Sequence, residues 1–261
     1  MQRDRVVLVA GGREGIGTSV AASLLAHACA SEGSRVMLVD ANGGLHHLFG
    51  FHPSTGIDAL RDPTVAVADV LVSITDQLAF APSQRTPQDT SIAAEDGRRL
   101  PLERLFDETE FDFVIVDAGA RLDNVRAVTQ AGIGAAIVVS DADRMSLAST
   151  YAMLKVLAQD TPAVKCSVLM NRLDEADART ATGRLSEACL QFLDRDVSST
   201  GTLPDDACLR AALGAGMPIG DAAEGSPAAR AMLAFAERVL PTFAGRMQAA
   251  AGSHLSDTWS R

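Results

Sequence analysis

The segment that most constrains this chain lies near its start. There an apolar strand-like run, Arg5-Val6-Val7-Leu8-Val9-Ala10, feeds a glycine-rich loop, Gly11 to Ser19, and then a helix-like stretch from Val20 to Cys29. Strand, glycine loop and helix in that order aim backbone N–H groups and a positive helix end at an anion. The phosphate-binding pattern G-x-x-x-x-G-K-[ST] fits from Gly12 to Ser19 at every position but one, where Thr18 replaces the lysine. The loop keeps its shape and loses the cation that neutralises the β/γ-phosphates.

Downstream, short β-branched runs alternate with longer alanine-rich amphipathic stretches, the rhythm of parallel strands joined by crossover helices. Strands are expected at about 5–10, 35–40, 77–81, 112–117, 134–140, 165–170 and 197–202, and helices near 18–31, 122–131, 143–159, 174–194, 205–214 and 227–240. Phe113-Val114-Ile115-Val116 and Ala135 to Val139 are apolar on both faces, as buried central strands are. The expected fold is therefore α/β: a single doubly wound domain over 1–240, its mainly parallel twisted sheet flanked by helices, with the ligand site at the strand carboxyl ends. The segment 81–99, rich in Pro, Ser, Gln and Thr, reads as a surface excursion inside that domain. Residues 241–261 read as a short tail, in which 242–251 forms at most a weak amphipathic helix with one basic residue, Arg246.

A formal charge of −10 argues against direct nucleic-acid binding and against an electrostatic membrane anchor. Cys29, Cys166, Cys189 and Cys208 are far apart and fit reduced, mostly buried thiols in a cytoplasmic protein. No signal peptide or membrane-spanning run is expected, and localisation is read as cytoplasmic, at most peripheral to the inner membrane face.

Two families claim the glycine loop. Gly11-Gly12-Arg13-Glu14-Gly15-Ile16-Gly17, with Asp40 about twenty residues on, resembles the opening of short-chain dehydrogenases, and Tyr151 and Lys155 resemble their Y-x-x-x-K pair. That reading implies NAD(P). Spacing decides against it: the one turn available, Asp117-Ala118-Gly119, lies only 34 residues before Tyr151, too near for the intervening strands and helix. On a helix, residues four apart otherwise share a face.

The second resemblance covers almost the whole chain. The protein resembles the MinD/ParA group of P-loop ATPases, and within it the FlhG (FleN) flagellar-number regulators. On their K-G-G-x-G-K-[ST] loop, Arg13 takes the first lysine position, Glu14 and Gly15 the glycine pair, Gly17 the next glycine, Thr18 the second lysine and Ser19 the magnesium-binding hydroxyl. Val36 to Asn42 resembles switch I, L-L-D-A-D, with Asn42 for the second aspartate, and Phe111 to Ala120 resembles the Walker B strand and switch II. Thr150 to Leu157 is similar to an FlhG stretch containing the same tyrosine and lysine, Val168 to Arg172 to the V-x-N-R adenine turn, and Gly201 to Asp206 to the late G-x-I-P-x-D segment.

The resemblance implies ATP or ADP with Mg²⁺, held by Gly12, Arg13, Gly15, Ile16, Gly17, Thr18, Ser19, Asp40, Asp117, Asn171 and Arg172, with Ser19, Asp40 and Asp117 around the metal. It also implies a homodimer and, as partners, an FlhF-type GTPase, flagellar switch proteins or a transcription activator. The activator motif D-Q-A-x-x-L-R does not occur, and a cousin role in cellulose, pilus or chemosensory machinery gives nearly the same sequence. Thr18 brings no charge to the phosphates, Asn42 is no base, and Glu14 adds unfavourable negative charge. The expectation is a pseudo-ATPase: a regulator of flagellar number and placement with weak nucleotide binding, or none, and slow or absent hydrolysis. His46, His47 and His52, with no cysteine or acid at ligand spacing, read as ordinary loop residues, and Asp174, Glu175 and Asp177 as a solvated helix start.

Overall fold

The computed structural model describes residues 2–85, 100–197 and 200–244. Its frame is an eight-stranded sheet: β1 (Val6–Gly11), β2 (Val36–Asp40), β3 (Val72–Ser73), β4 (Leu78–Ala81), β5 (Phe113–Gly119), β6 (Ala135–Ser140), β7 (Lys165–Asn171) and β8 (Thr200–Leu203), in spatial order β3-β4-β2-β5-β1-β6-β7-β8. All neighbours are parallel except the edge pair β3 and β4. Every residue of β1, β2 and β6 is buried, as expected of strands covered by helices on both faces.

The covering helices are α1 (Thr18–Ser31), α2 (Leu102–Phe106), α3 (Leu122–Ala131), α4 (Arg144–Asp160), α5 (Glu175–Leu193), α6 (Ala207–Gly214), α7 (Ile219–Ala222) and α8 (Pro227–Ala244). Alternation along each strand sorts the core into two layers. Val7 and Val9 face α1, α6 and α8, through Leu24, Leu25, Leu209, Met232 and Phe235. Val6 and Leu8 face α2 to α5, through Phe106, Val125, Leu154 and Leu185. Three helices begin on aspartate caps that take up first-turn N–H groups: Asp143 on α4, Asp174 on α5 and Asp206 on α6. Asp206 also accepts from Ser226 Oγ at 2.6 Å and so ties the start of α6 to that of α8.

The sheet order separates this chain from the dehydrogenases. In the dinucleotide fold the first strand lies beside the second; here β5 is inserted between β1 and β2. Tyr151 packs half-buried against the core on α4 and Lys155 is exposed. The short elements β3, α2, α7 and the 3₁₀ turns Leu45–Phe49, Ile57–Arg61 and Val67–Val70 escape the sequence reading, being too brief to show a period. Helix α8 runs through to Ala244, beyond the boundary expected at 240. Most of the 81–99 excursion and the tail beyond 244 lie outside the described residues. Among the described residues no helix is long and apolar enough to cross a membrane. Cys29 and Cys189 are buried, Cys166 partly so, and Cys208 is exposed, all as free thiols.

Candidate nucleotide site

The carboxyl ends of β1, β2 and β5 converge on the loop before α1. Gly15 (φ 76°) and Gly17 (φ 94°) take left-handed backbone, which lets the chain curl and enter the helix. Gly17 is the N-cap of α1 and supplies no side chain to the first-turn N–H groups, unlike the aspartates that cap α4, α5 and α6. These donors face a cleft of about 390 Å³ lined by Arg13 to Gly15, Gly17 to Val20, Asn42 to Leu45, His47, Leu48, Gly119 and Ala120. A second pocket, of about 340 Å³, adjoins it across Gly17, Val20 and Leu48, walled by Asn171, Arg172, Pro204, Asp205 and Leu209. One pocket is bounded by the glycine loop and the other by Leu209, Pro204 and Arg172, a pairing suited to phosphates and a base.

The expected site residues take distinct positions. Thr18 is buried, its hydroxyl folded back into the space a Gly11 side chain would fill. Arg13 turns away from the loop: its Nε donates to Ser146 Oγ at 2.5 Å and its Nη2 pairs with Asp141 at 3.2 Å. Burial works against the Asp141 charge, but hydrogen bonds from Ser146, the Asp143 N–H and Arg13 outweigh it and hold this carboxyl below the usual range. Glu14 is exposed. The Ile16 side chain is a core residue at 2% exposure, so only its backbone faces the loop. Asn171 Nδ2 donates to the Ile16 carbonyl at 2.7 Å and presses on Gly17, stapling β7 to the loop. Arg172 stands beside it in left-handed backbone (φ 61°), exposed and lining the second pocket. Gly12 lies directly against the α4 backbone at Thr150.

Asp40 and Asp117 are register partners on β2 and β5, and neither is exposed. Asp40 accepts N–H bonds from Asn42 (3.2 Å), Gly43 (2.6 Å) and Leu45 (2.9 Å), so both its oxygens hold the loop after β2. Burial, and then the neighbouring Asp117 charge, still push its carboxyl up to about 7. Asp117 accepts from the Gly119 N–H at 3.0 Å and from the Ser19 hydroxyl, while burial lifts it to about 6. Its Oδ2 is buried without a hydrogen-bond partner. A buried, unpaired carboxylate oxygen beside a serine hydroxyl fits a hard cation such as Mg²⁺, which prefers one or two protein oxygens and keeps its waters. Asn42 packs across Gly119 (φ 62°), bridging the loops after β2 and β5.

These raised values carry a sign. The native protein binds more protons at Asp40 and Asp117 than the unfolded chain does between their ordinary value of 3.8 and about 7. Their contribution to stability therefore grows as pH falls through that window and is lost as pH rises. In metal-free buffer Tm is expected to rise from pH 8 to pH 6. Asp117→Asn should flatten the continuation of that slope between about pH 6 and pH 4, removing on the order of 3 kcal/mol of pH-dependent stability. Equal slopes in thermal scans of the two proteins would show that Asp117 titrates normally.

A loop–helix cleft at the end of β1, an aspartate pair on β2 and β5, and this sheet order together give the P-loop fold of the MinD/ParA type. The chain belongs to the family of the cellulose biosynthesis protein BcsQ, whose profile matches residues 4–240. It is 27% identical over 242 residues to the antiactivator FleN of Pseudomonas aeruginosa, covering 90% of this chain and 86% of that protein. It is 28% identical over 210 residues to the septum site-determining protein MinD of Synechocystis, covering 78% and 77% of the two. In fold it matches the Mg-ADP complex of MinD from Pyrococcus horikoshii with a TM-score of 0.71 at 20% identity, over 90% of this chain and 95% of that one.

Beside the site lies a group that the sequence reads as ordinary loop residues. His46, His47 and His52 come together beside the cleft, with ring centroids 4.1, 5.7 and 5.6 Å apart. Their sequence spacing matches no helical face: the 3₁₀ turn after Asp40 carries His46 and His47, and the chain beyond the left-handed Gly50 brings His52 back to them.

Proposed function

We propose that this chain is a MinD/ParA-type regulator that binds adenine nucleotide weakly, with Mg²⁺ at Ser19 and Asp117, hydrolyses it slowly or not at all, and acts by contact with its partners. One observation supports this reading: among the described residues lining the cleft, the phosphates meet backbone N–H groups but no lysine, and the one lining arginine is engaged elsewhere. Thr18 has replaced the lysine, and Arg13, the one arginine lining the cleft, is committed to Asp141 and Ser146. Phosphoryl transfer depends on such charge to stabilise its transition state. Asn42 can orient a water but cannot take its proton.

The machine it serves is, in this reading, one that makes or exports cellulose, because the family match spans 4–240. A flagellar role, with an FlhF-type GTPase, switch proteins or an activator as partner, is the second reading, supported by the similarity to FleN over 90% of the chain. Either role fits a homodimer at the cytoplasmic face of the inner membrane.

Calorimetry with MgATP, MgADP and NADH, followed by phosphate-release assays, tests the proposal. The expected result is weak adenine-nucleotide binding, ADP no weaker than ATP, silence for NADH and no turnover above background. A steady ATPase that survives further purification and disappears in Ser19→Ala would overturn it.

A further inference from the structure

We propose that His46, His47 and His52 form a binding site for a borderline divalent transition ion, Zn²⁺ being the best match. One ring nitrogen from each lies within 4.8 Å of the others. A tetrahedral zinc site with bonds near 2.0–2.1 Å places its nitrogens about 3.3 Å apart, so small side-chain rotations close the set.

The second observation is His46 itself. It is 7% exposed, and its Nδ1 is buried with no hydrogen-bond partner. The same ring meets the Ser83 backbone, which anchors the imidazole on a fixed segment. Ser83 is fully buried and held in turn: its hydroxyl donates to Asp58 at 3.2 Å and accepts the Arg85 N–H at 3.1 Å, while Arg85 Nε pairs with Asp58 at 2.7 Å. Anchoring of the imidazole on a fixed segment is the usual support of a metal-bound histidine. Without an ion, a buried ring nitrogen with no partner is simply a cost.

Imidazole-only ligation selects zinc, copper, nickel or cobalt over magnesium and calcium, so this site is chemically separate from the Ser19–Asp117 oxygens. His47 and His52 are exposed and leave a fourth position to water. The site also sits on the loop that Asp40 holds through Leu45 N–H, and His47 lines the phosphate cleft. A bound ion would pin His46, His47 and His52 together and stiffen that wall of the cleft.

The test uses the full chain with its purification tag removed, titrated with Zn²⁺ against a competing chelator and, separately, with Co²⁺. The expected result is one equivalent at micromolar affinity or tighter, and intense visible Co²⁺ bands from a four-coordinate nitrogen-rich site. Tm should rise by roughly 5–10 °C at a hundredfold excess over Kd. His47→Ala and His52→Ala, both at exposed positions, should each weaken binding at least tenfold while their metal-free circular dichroism stays unchanged. No stoichiometric binding by the wild type, or binding in either variant within tenfold of it, overturns the proposal.

Discussion

Thr18→Lys is expected to tighten MgATP binding by roughly 10- to 100-fold. A charge-assisted hydrogen bond to phosphate contributes about 1.5–3 kcal/mol, and each 1.4 kcal/mol is tenfold in affinity. The position is right for it. Residue 18 opens α1, and its side chain lies along Gly11, from which a longer stem can reach the cleft that Thr18 lines. The gain should fall with added salt, because the charge acts at a partly open cleft on a chain of net charge −10. Thr18→Met supplies length without charge and should leave affinity near the wild-type value. Calorimetry on the three proteins decides the matter. If lysine and methionine behave alike, the cleft is not where the phosphates bind and the proposed pseudo-ATPase site is wrong.

Gly12→Val is expected to give the largest loss of stability of any substitution in the loop. A Cβ at Gly12 would stand 2.5 Å from Thr150 Oγ1, 2.7 Å from Thr150 N and 3.0 Å from Thr150 Cα. The last two are backbone atoms of α4, and the Thr150 side chain is itself fixed by a 2.9 Å bond from its hydroxyl to Ser140 Oγ. No rotamer change relieves the clash, so the helix must move. Overpacking of this kind costs about 1–3 kcal/mol for a methyl group and more for valine, so Gly12→Ala should lower Tm by roughly 2–12 °C and Gly12→Val by more. Displacing α4 also carries Asp141 and Ser146 away from Arg13. Gly15→Ala is the control: open space surrounds it, and only its φ of 76° opposes a side chain, a cost of roughly 1–2 kcal/mol. Thermal melts that rank Gly15→Ala above Gly12→Ala in damage would contradict this packing.

Much of the architecture is legible because it is local. The run from Val6 to Ser31 carries its strand, loop and helix contiguously, and the apolar strands at 113–116 and 135–139 announce a sheet covered on both faces. Aspartates at 143, 174 and 206 mark helix starts in the chain itself, so the acidic run at Asp174 is the solvated cap it was expected to be. What stays illegible depends on residues far apart in sequence. Arg13 reads as a phosphate ligand, and its pairing with Asp141, 128 residues on, is written nowhere near it in the chain. Asn171 reads as an adenine contact and is found holding the loop through Ile16.

The sequence by itself therefore determined the strand and helix rhythm, the family and the missing lysine at position 18, since periodicity and residue identity are written along the chain. Only the tertiary structure decided which partner each polar group keeps. Asp117 is left with a bare oxygen, Arg13 paired with Asp141, and three histidines drawn together. Hydrogen bonds and burial are properties of neighbours in space, and folding chooses those neighbours by packing the two apolar layers, not by the order of the residues.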